Sequence, residues 1–187
     1  PWYFDYAPYE SAPDLDRARE LLEEAGYPDG FEMTWMPNSQ VGETVRAAQV
    51  LQAQLSQIGI PSEIFAPEWA EWLELQGGGD YDAFICSWNG LKDGDQYYYL
   101  QHRTGQVFNF TGFSDPEFDE LVDEAREVSD FEARYEIYGN ANEILVDAAA
   151  YVYMYNKLEI RAYSSAVQGF VVRSDQANNF WNVWLDQ

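Results

Sequence analysis

The sequence predicts an α/β fold, a mixed sheet flanked by helices, and three observations predict it. Short apolar runs of strand character alternate with segments whose apolar residues recur at helical spacing. The runs are separated by helix-length stretches, as parallel strands joined by crossovers require. The chain also has 187 residues, 47% of them hydrophobic and 17% aromatic, enough to bury a real core.

The elements follow in order. Asp14 caps a helix whose apolar face is Leu15, Ala18, Leu21, Leu22 and Ala25, and Gly26 stops it. After the turn Pro28-Asp29-Gly30, residues 31–36 (FEMTWM) read as a strand and Pro37-Asn38-Ser39-Gln40 as a loop. A helix with Val45, Ala48, Leu51, Leu55 and Ile58 on one face ends at Gly59. Residues 62–65 make a short strand. Residues 68–75 make a helix bearing Trp69, Trp72 and Leu73, closed by the glycines at 77–79. Residues 82–88 make a third strand, ending on Trp88. Helices then dominate. Ser114-Asp115-Pro116-Glu117 reads as a capping box with proline in the first turn, opening a helix that presents Phe118, Leu121, Val122, Ala125 and Val128. A helix over about Phe131–Asp147 presents Phe131, Tyr135, Tyr138, Ala141 and Leu145, and strands near 151–155 and 169–172 finish the chain. No repeat or low-complexity linker divides it, so 1–187 reads as a single α/β domain.

Charge narrows the partners. There are 33 acidic residues against 10 basic ones, a net of -23, and Lys92 and Lys157 are the only lysines. Nucleic acid and anionic membrane surfaces are excluded, because both need a basic face. The acids are spread along the chain, which favours adaptation to concentrated salt over a cation sink or a docking face. No run approaches the roughly 18 apolar residues of a membrane helix. The beginning, PWYFDYAPYESAPD, is loop-like with neither a basic n-region nor an apolar h-region, so the chain reads as a piece of a longer protein. Cys86, alone in its apolar run, reads as a small buried hydrophobe.

Catalytic chemistry is hard to assemble. His102 is the only histidine, no Gly-x-Ser-x-Gly elbow accompanies it, and beside Arg103 it reads as a loop residue. The triple glycine precedes Asp80, so it is a turn and not a phosphate cradle. Asp93 and Asp95 could bind a hard cation or act as an acid/base pair, but in so acidic a chain a solvated loop is favoured. Asn109-Phe110-Thr111 permits N-glycosylation if the protein is exported. No catalytic residue, metal or cofactor is therefore predicted, and an acidic hydrolase using Asp93 and Asp95 is the remaining enzyme reading. Aromatic placement is more telling. Trp88 closes a strand, and Tyr97, Tyr98 and Tyr99 follow a polar loop. Ligands of open α/β sheets sit beyond the carboxyl ends of strands, against aromatic walls with a few polar groups. Three successive tyrosines on a helix cannot all face one way, so at least one is core; Trp88 fits pocket or core equally.

The segments DLDRARELLEEAGYPDGFEM, VLQAQLSQIGIPSEI, PEWAEW, YDAFICSWNG and TGFSDPEFDELVDEAREVSDFEARYEIYGNANEIL occur in the order and spacing of one family. Over nearly all of residues 14–172 the chain resembles the carboxyl-terminal lobe of the extracellular solute-binding proteins of ABC importers, in the dipeptide/oligopeptide-binding family. The resemblance implies one lobe of a type II periplasmic-binding-protein-like fold. Residues 1–13 would come from the other lobe as a linker, and 173–187 would return toward it. It implies an exported, often lipid-anchored receptor that closes on a ligand about a hinge and delivers it to a membrane permease. The acid-rich, lysine-poor surface resembles that of a haloarchaeal protein.

In peptide receptors of this family an aspartate three residues after the tryptophan holds the peptide amine; the corresponding residue here is Leu91, with Asp93 and Asp95 following. Dipeptide receptors place an arginine for the ligand carboxylate in the loop before the second helix, where Asn38 stands here. Losing such a charge partner costs about 2–5 kcal/mol for a dipeptide zwitterion. The expected ligand is therefore a longer peptide held by its backbone, with Asp93 replacing the amine anchor, or alternatively an oligosaccharide stacked on aromatic rings. The expected contacts are Trp88, Asn89, Leu91, Asp93, Asp95 and Tyr97, with Asn38, Ser39 and Gln40 opposite.

Overall fold

The computed structural model describes residues 2–9, 12–88, 91–156, 158, 160–173 and 177–186. The chain forms two compact units, Ala7–Ser87 and Pro1–Tyr6 with Trp88–Gln187.

In the unit Ala7–Ser87, helix α1 (Leu15–Glu24) starts where expected, the Asp14 carboxylate accepting the Arg17 N–H at 2.9 Å. Strands β1 (Met33–Pro37), β2 (Ser62–Ile64) and β3 (Ala83–Ile85) form a sheet in the order β2-β1-β3, both pairs parallel. The crossovers are α2 (Gly42–Leu55), which tightens into a 3-10 turn over Ser56–Ile58, and α3 (Trp69–Gly78). On one face Trp35, Ile85 and Ala48 form a core with Met33, Leu51, Leu55 and Ile64 around them. Side chains alternate along a strand, so Met36 and Phe84 belong to the other face. There Trp72 of α3 meets Phe84 edge-on and donates its indole N–H to the Met36 carbonyl at 3.0 Å. Helices thus cover both faces.

Two boundaries move. β3 stops at Ile85, which leaves Cys86, Ser87 and Trp88 beyond the strand. α3 continues through Gly77 and Gly78 and turns only at Gly79, whose φ of 77° is the left-handed conformation that ends helices.

In the other unit, α4 (Gly94–His102), α5 (Pro116–Glu127) and α6 (Phe131–Asp147) pack around Tyr98, Phe118, Val122, Ala125, Tyr138, Ala141 and Leu145. The approach of α4 to α6 needs a glycine: a Cβ on Gly94 would lie 2.6 Å from Tyr138 Cε2. The capping box expected at Ser114 is corrected by one residue. Asp115 caps α5, accepting the Phe118 N–H at 2.9 Å, while the Ser114 hydroxyl accepts from Thr104 Oγ1 at 3.0 Å. Proline at the first helical position fixes Asp115, not Ser114, as the preceding cap. Asp130 caps α6 in the same way. Of the expected linker, Trp2 packs on Phe131 and Tyr138, Phe4 packs on Tyr135, and the Tyr6 hydroxyl donates to Asp147 Oδ1 at 2.6 Å.

The strands expected at 151–155 and 169–172 do not form. Tyr151 instead sets its ring against His102, at 4.8 Å, so the segment is used for packing and not for a ladder. The antiparallel pair of this unit is β4 (Val167–Gln168) with β5 (Trp184–Leu185), so the chain's sheet content is mixed although the three-stranded sheet is parallel. β5 brings the expected return segment back onto β4.

Candidate functional site

In the unit Ala7–Ser87 the loop at the carboxyl end of β1 is built by Asn38. This residue is buried; its Oδ1 accepts the Gln40 N–H at 2.9 Å and its carbonyl accepts from Val41 N and Thr44 Oγ1, each at 3.1 Å. Ser39 is half-buried, its hydroxyl shielded and without a partner. Gln40 is exposed, with Nε2 donating to Glu68 Oε2 at 3.3 Å. This is the strand end at which open α/β sheets receive ligands, and it offers amide and hydroxyl groups.

In the other unit, Trp88 is 38% exposed and meets Phe108 edge-on, ring centroids 5.2 Å apart. Phe108 is itself 36% exposed and Leu91 38%. Asn89 lies outside the described residues. Asp93 and Asp95 are not a solvated loop. Asp93 caps α4, its carboxylate accepting the Asp95 N–H while Gln96 reaches back to the Asp93 N–H. The same carboxylate takes a two-pronged guanidinium contact from Arg134, at 2.6 and 3.1 Å, which holds it below the usual carboxylate range. Arg134 also donates to the Ala125 carbonyl and the Tyr138 hydroxyl. Asp95 pairs with Arg126 at 2.9 Å, and that guanidinium covers the Tyr99 ring at 4.0 Å.

The tyrosines divide as helix geometry demands. Tyr98 is core, Tyr99 lies under arginine, and Tyr97 is half-buried between Tyr98 and His102. Burial and a hydrogen bond with Tyr153 push the Tyr97 phenol pKa far up. Its ring is committed to packing within the helical unit.

Three other residues take unexpected places. His102 is not a loop residue: it ends α4 fully buried among Tyr97, Tyr151 and Phe118, with neither ring nitrogen bonded, and burial lowers its pKa to about 3. Asn109 staples its loop, Nδ2 donating to the carbonyls of His102, Arg103 and Phe113, so its amide is already engaged in the folded chain. Cys86 is half-buried, and burial pushes its thiol up to about 11, which disfavours the nucleophilic thiolate. Sequence reasoning passed over Arg134, Arg126 and Phe108. The arginine partners lie 41 and 31 positions from their aspartates, and the only signal was the scarcity of cations in so acidic a chain, which makes each arginine a candidate for pairing.

The parallel sheet with crossover helices, exposed rings and a polar strand-end loop define the class: an α/β fold of the periplasmic-binding-protein kind. Comparison with known proteins agrees. Residues 1–109 match the family described as "Bacterial extracellular solute-binding proteins, family 5 Middle". The chain is 29% identical to a dipeptide-binding protein of Pseudomonas aeruginosa over 97% of its own length and 36% of that protein's. It is 28% identical to heme-binding protein A of Haemophilus influenzae, covering 92% of the chain and 33% of that protein. Among solved structures it is similar to the ABC transporter-associated periplasmic binding protein DppA of Helicobacter pylori in complex with peptide STSA. The TM-score is 0.80 and the identity 28%, over 98% of this chain and 36% of that one. The chain belongs to the family 5 extracellular solute-binding proteins and spans about a third of the length of these relatives.

Proposed function

We propose that this chain is one lobe of an extracellular receptor that captures peptides, closes on them about a hinge, and presents the closed form to an ABC permease in the membrane. The remainder of the receptor, outside these residues, supplies the facing lobe and a lipid anchor to the cell surface. Each unit offers its own contacts: Trp88 and Leu91 in one, and the loop of Asn38, Ser39 and Gln40 in the other. The role is capture and not turnover, in line with relatives that are named for binding.

The observation that carries this reading is the indole of Trp88, which follows β3 by three residues and keeps over a third of its surface open beside Phe108. A rigid ring of this kind gains on desolvation by a ligand. Peptide is favoured over oligosaccharide on two grounds. Several relatives are named for dipeptides and tripeptides. The groups that would bond sugar hydroxyls are also largely engaged, Asn38 Oδ1 by Gln40 and Asp93 by Arg134.

Native mass spectrometry of the full-length receptor purified from its host tests the reading. A bound mass that fragments as a peptide is expected. A carbohydrate mass would turn the assignment to the oligosaccharide, and hydrolysis of an added peptide or glycoside would turn it to an enzyme.

A further inference from the structure

Resting on the peptide reading, we propose that the exposed surface of Trp88, Leu91 and Phe108 receives an uncharged part of the ligand, an internal amide or an acylated end, and that Asp93 is a positioning residue and not an ammonium anchor. Two carboxylates follow Leu91, Asp93 at the cap of α4 and Asp95 in its first turn, and both are used inside the fold. Asp93 closes the capping box of α4 and is gripped at both oxygens by Arg134. That arginine also holds the Ala125 carbonyl near the end of α5 and the Tyr138 hydroxyl of α6, and covers the Trp2 ring at 5.3 Å. Moving Asp93 to a ligand would uncap α4 and release Arg134 of α6 at once. Asp95 is taken by Arg126, which is itself stacked on Tyr99.

A cation arriving here would meet carboxylates already neutralised by fixed guanidinium groups, and the arginines themselves would repel it. Among the described residues, Trp88, Leu91 and Phe108 each keep more than a third of their surface exposed, and the partly exposed charges next to Leu91 are the cation Lys92 and the ion-paired Asp93. An ammonium gains from the ring faces alone and loses its hydration beside the rest, whereas an acyl group or a backbone amide flanked by side chains gains from all of that surface.

The test uses the full-length receptor and two probes, a mixed tetrapeptide library with free amino termini and the same library N-acetylated. Binding is read by competition and native mass spectrometry. The acetylated library is expected to bind at least as tightly as the free one. Asp93→Asn and Arg134→Gln are expected to weaken both libraries by the same factor, and the double variant to be no worse than the weaker single. A tenfold or greater preference for the free amine in the wild type overturns the proposal; its selective loss in Asp93→Asn alone would make Asp93 the anchor. The wild-type ratio decides the matter even if a variant does not fold. Failure of both libraries to bind overturns the peptide reading beneath the proposal, and with it the proposal.

Discussion

His102 is a buried imidazole whose neighbours are the Tyr97, Tyr151 and Phe118 rings, and its protonation is disfavoured where it sits. Its pKa is about 3 in the fold against 6.5 for the free group, so below pH 6.5 the unfolded chain takes up a proton that the folded chain refuses. The stability associated with the neutral ring is complete above 6.5 and drains away as pH falls toward 3. By pH 5 the loss amounts to about 2 kcal/mol. Comparing chemical denaturation of the wild type with His102→Phe between pH 7.5 and 5 should show a shallower pH slope in the variant; equal slopes would mean the ring titrates normally. Asn109 gives a second residue-scale expectation. Replacing it with alanine takes the donor from the His102 and Phe113 carbonyls, while that of Arg103 still accepts the Gln106 N–H, and should lower unfolding stability by about 1–3 kcal/mol. Neither environment was legible in the sequence. A lone histidine beside an arginine and a sequon are local patterns, and burial is decided by which helices converge on them.

At the scale of elements, legibility followed the chemistry of helix ends. Asp14 and the stretch Ser114-Asp115-Pro116-Glu117 announced two helices, the second cap misplaced by one residue, because a cap needs only its own first turn. The parallel sheet was readable from apolar runs spaced by crossovers. Residues 151–155 were misread as a strand, since an apolar run does not say whether a neighbouring strand exists, and Tyr151 went to the helical core instead. The contact of α4 with α6 is the element-scale feature with the least tolerance. Gly94→Ala would push a methyl group into Tyr138 and should cost about 1–3 kcal/mol in thermal or chemical unfolding. An unchanged midpoint would mean that α4 can shift away at no cost. The expected disturbance also reaches Asp93, the preceding residue, and so the clamp on Arg134.

Across the whole molecule, charge outweighs every local contact. Arg17, Arg19, Arg103, Arg126 and Arg134 are ion-paired, yet 33 acidic residues against 10 basic ones leave a net of -23 that no internal pairing can cancel. Salt weakens the few pairs, but it weakens the far more numerous repulsions as well, so screening should favour the fold. The melting temperature is expected to fall as salt is lowered from molar to millimolar, and a flat profile would mean the acids are too far apart to matter. Family membership was legible because several spaced motifs survive together over most of the chain. The environment of the candidate site was legible only in part, since the fate of Asp93 and Asp95 depends on arginines far away in sequence. The claim on which the receptor reading turns is that the Trp88 indole is an open contact for a ligand. The direct measurement is ligand retention by full-length receptor carrying Trp88→Ala, compared with wild type purified alongside it. Retention should drop at least tenfold while the melting temperature stays within a few degrees; undiminished retention, or loss of the fold itself, would contradict a ligand-facing tryptophan.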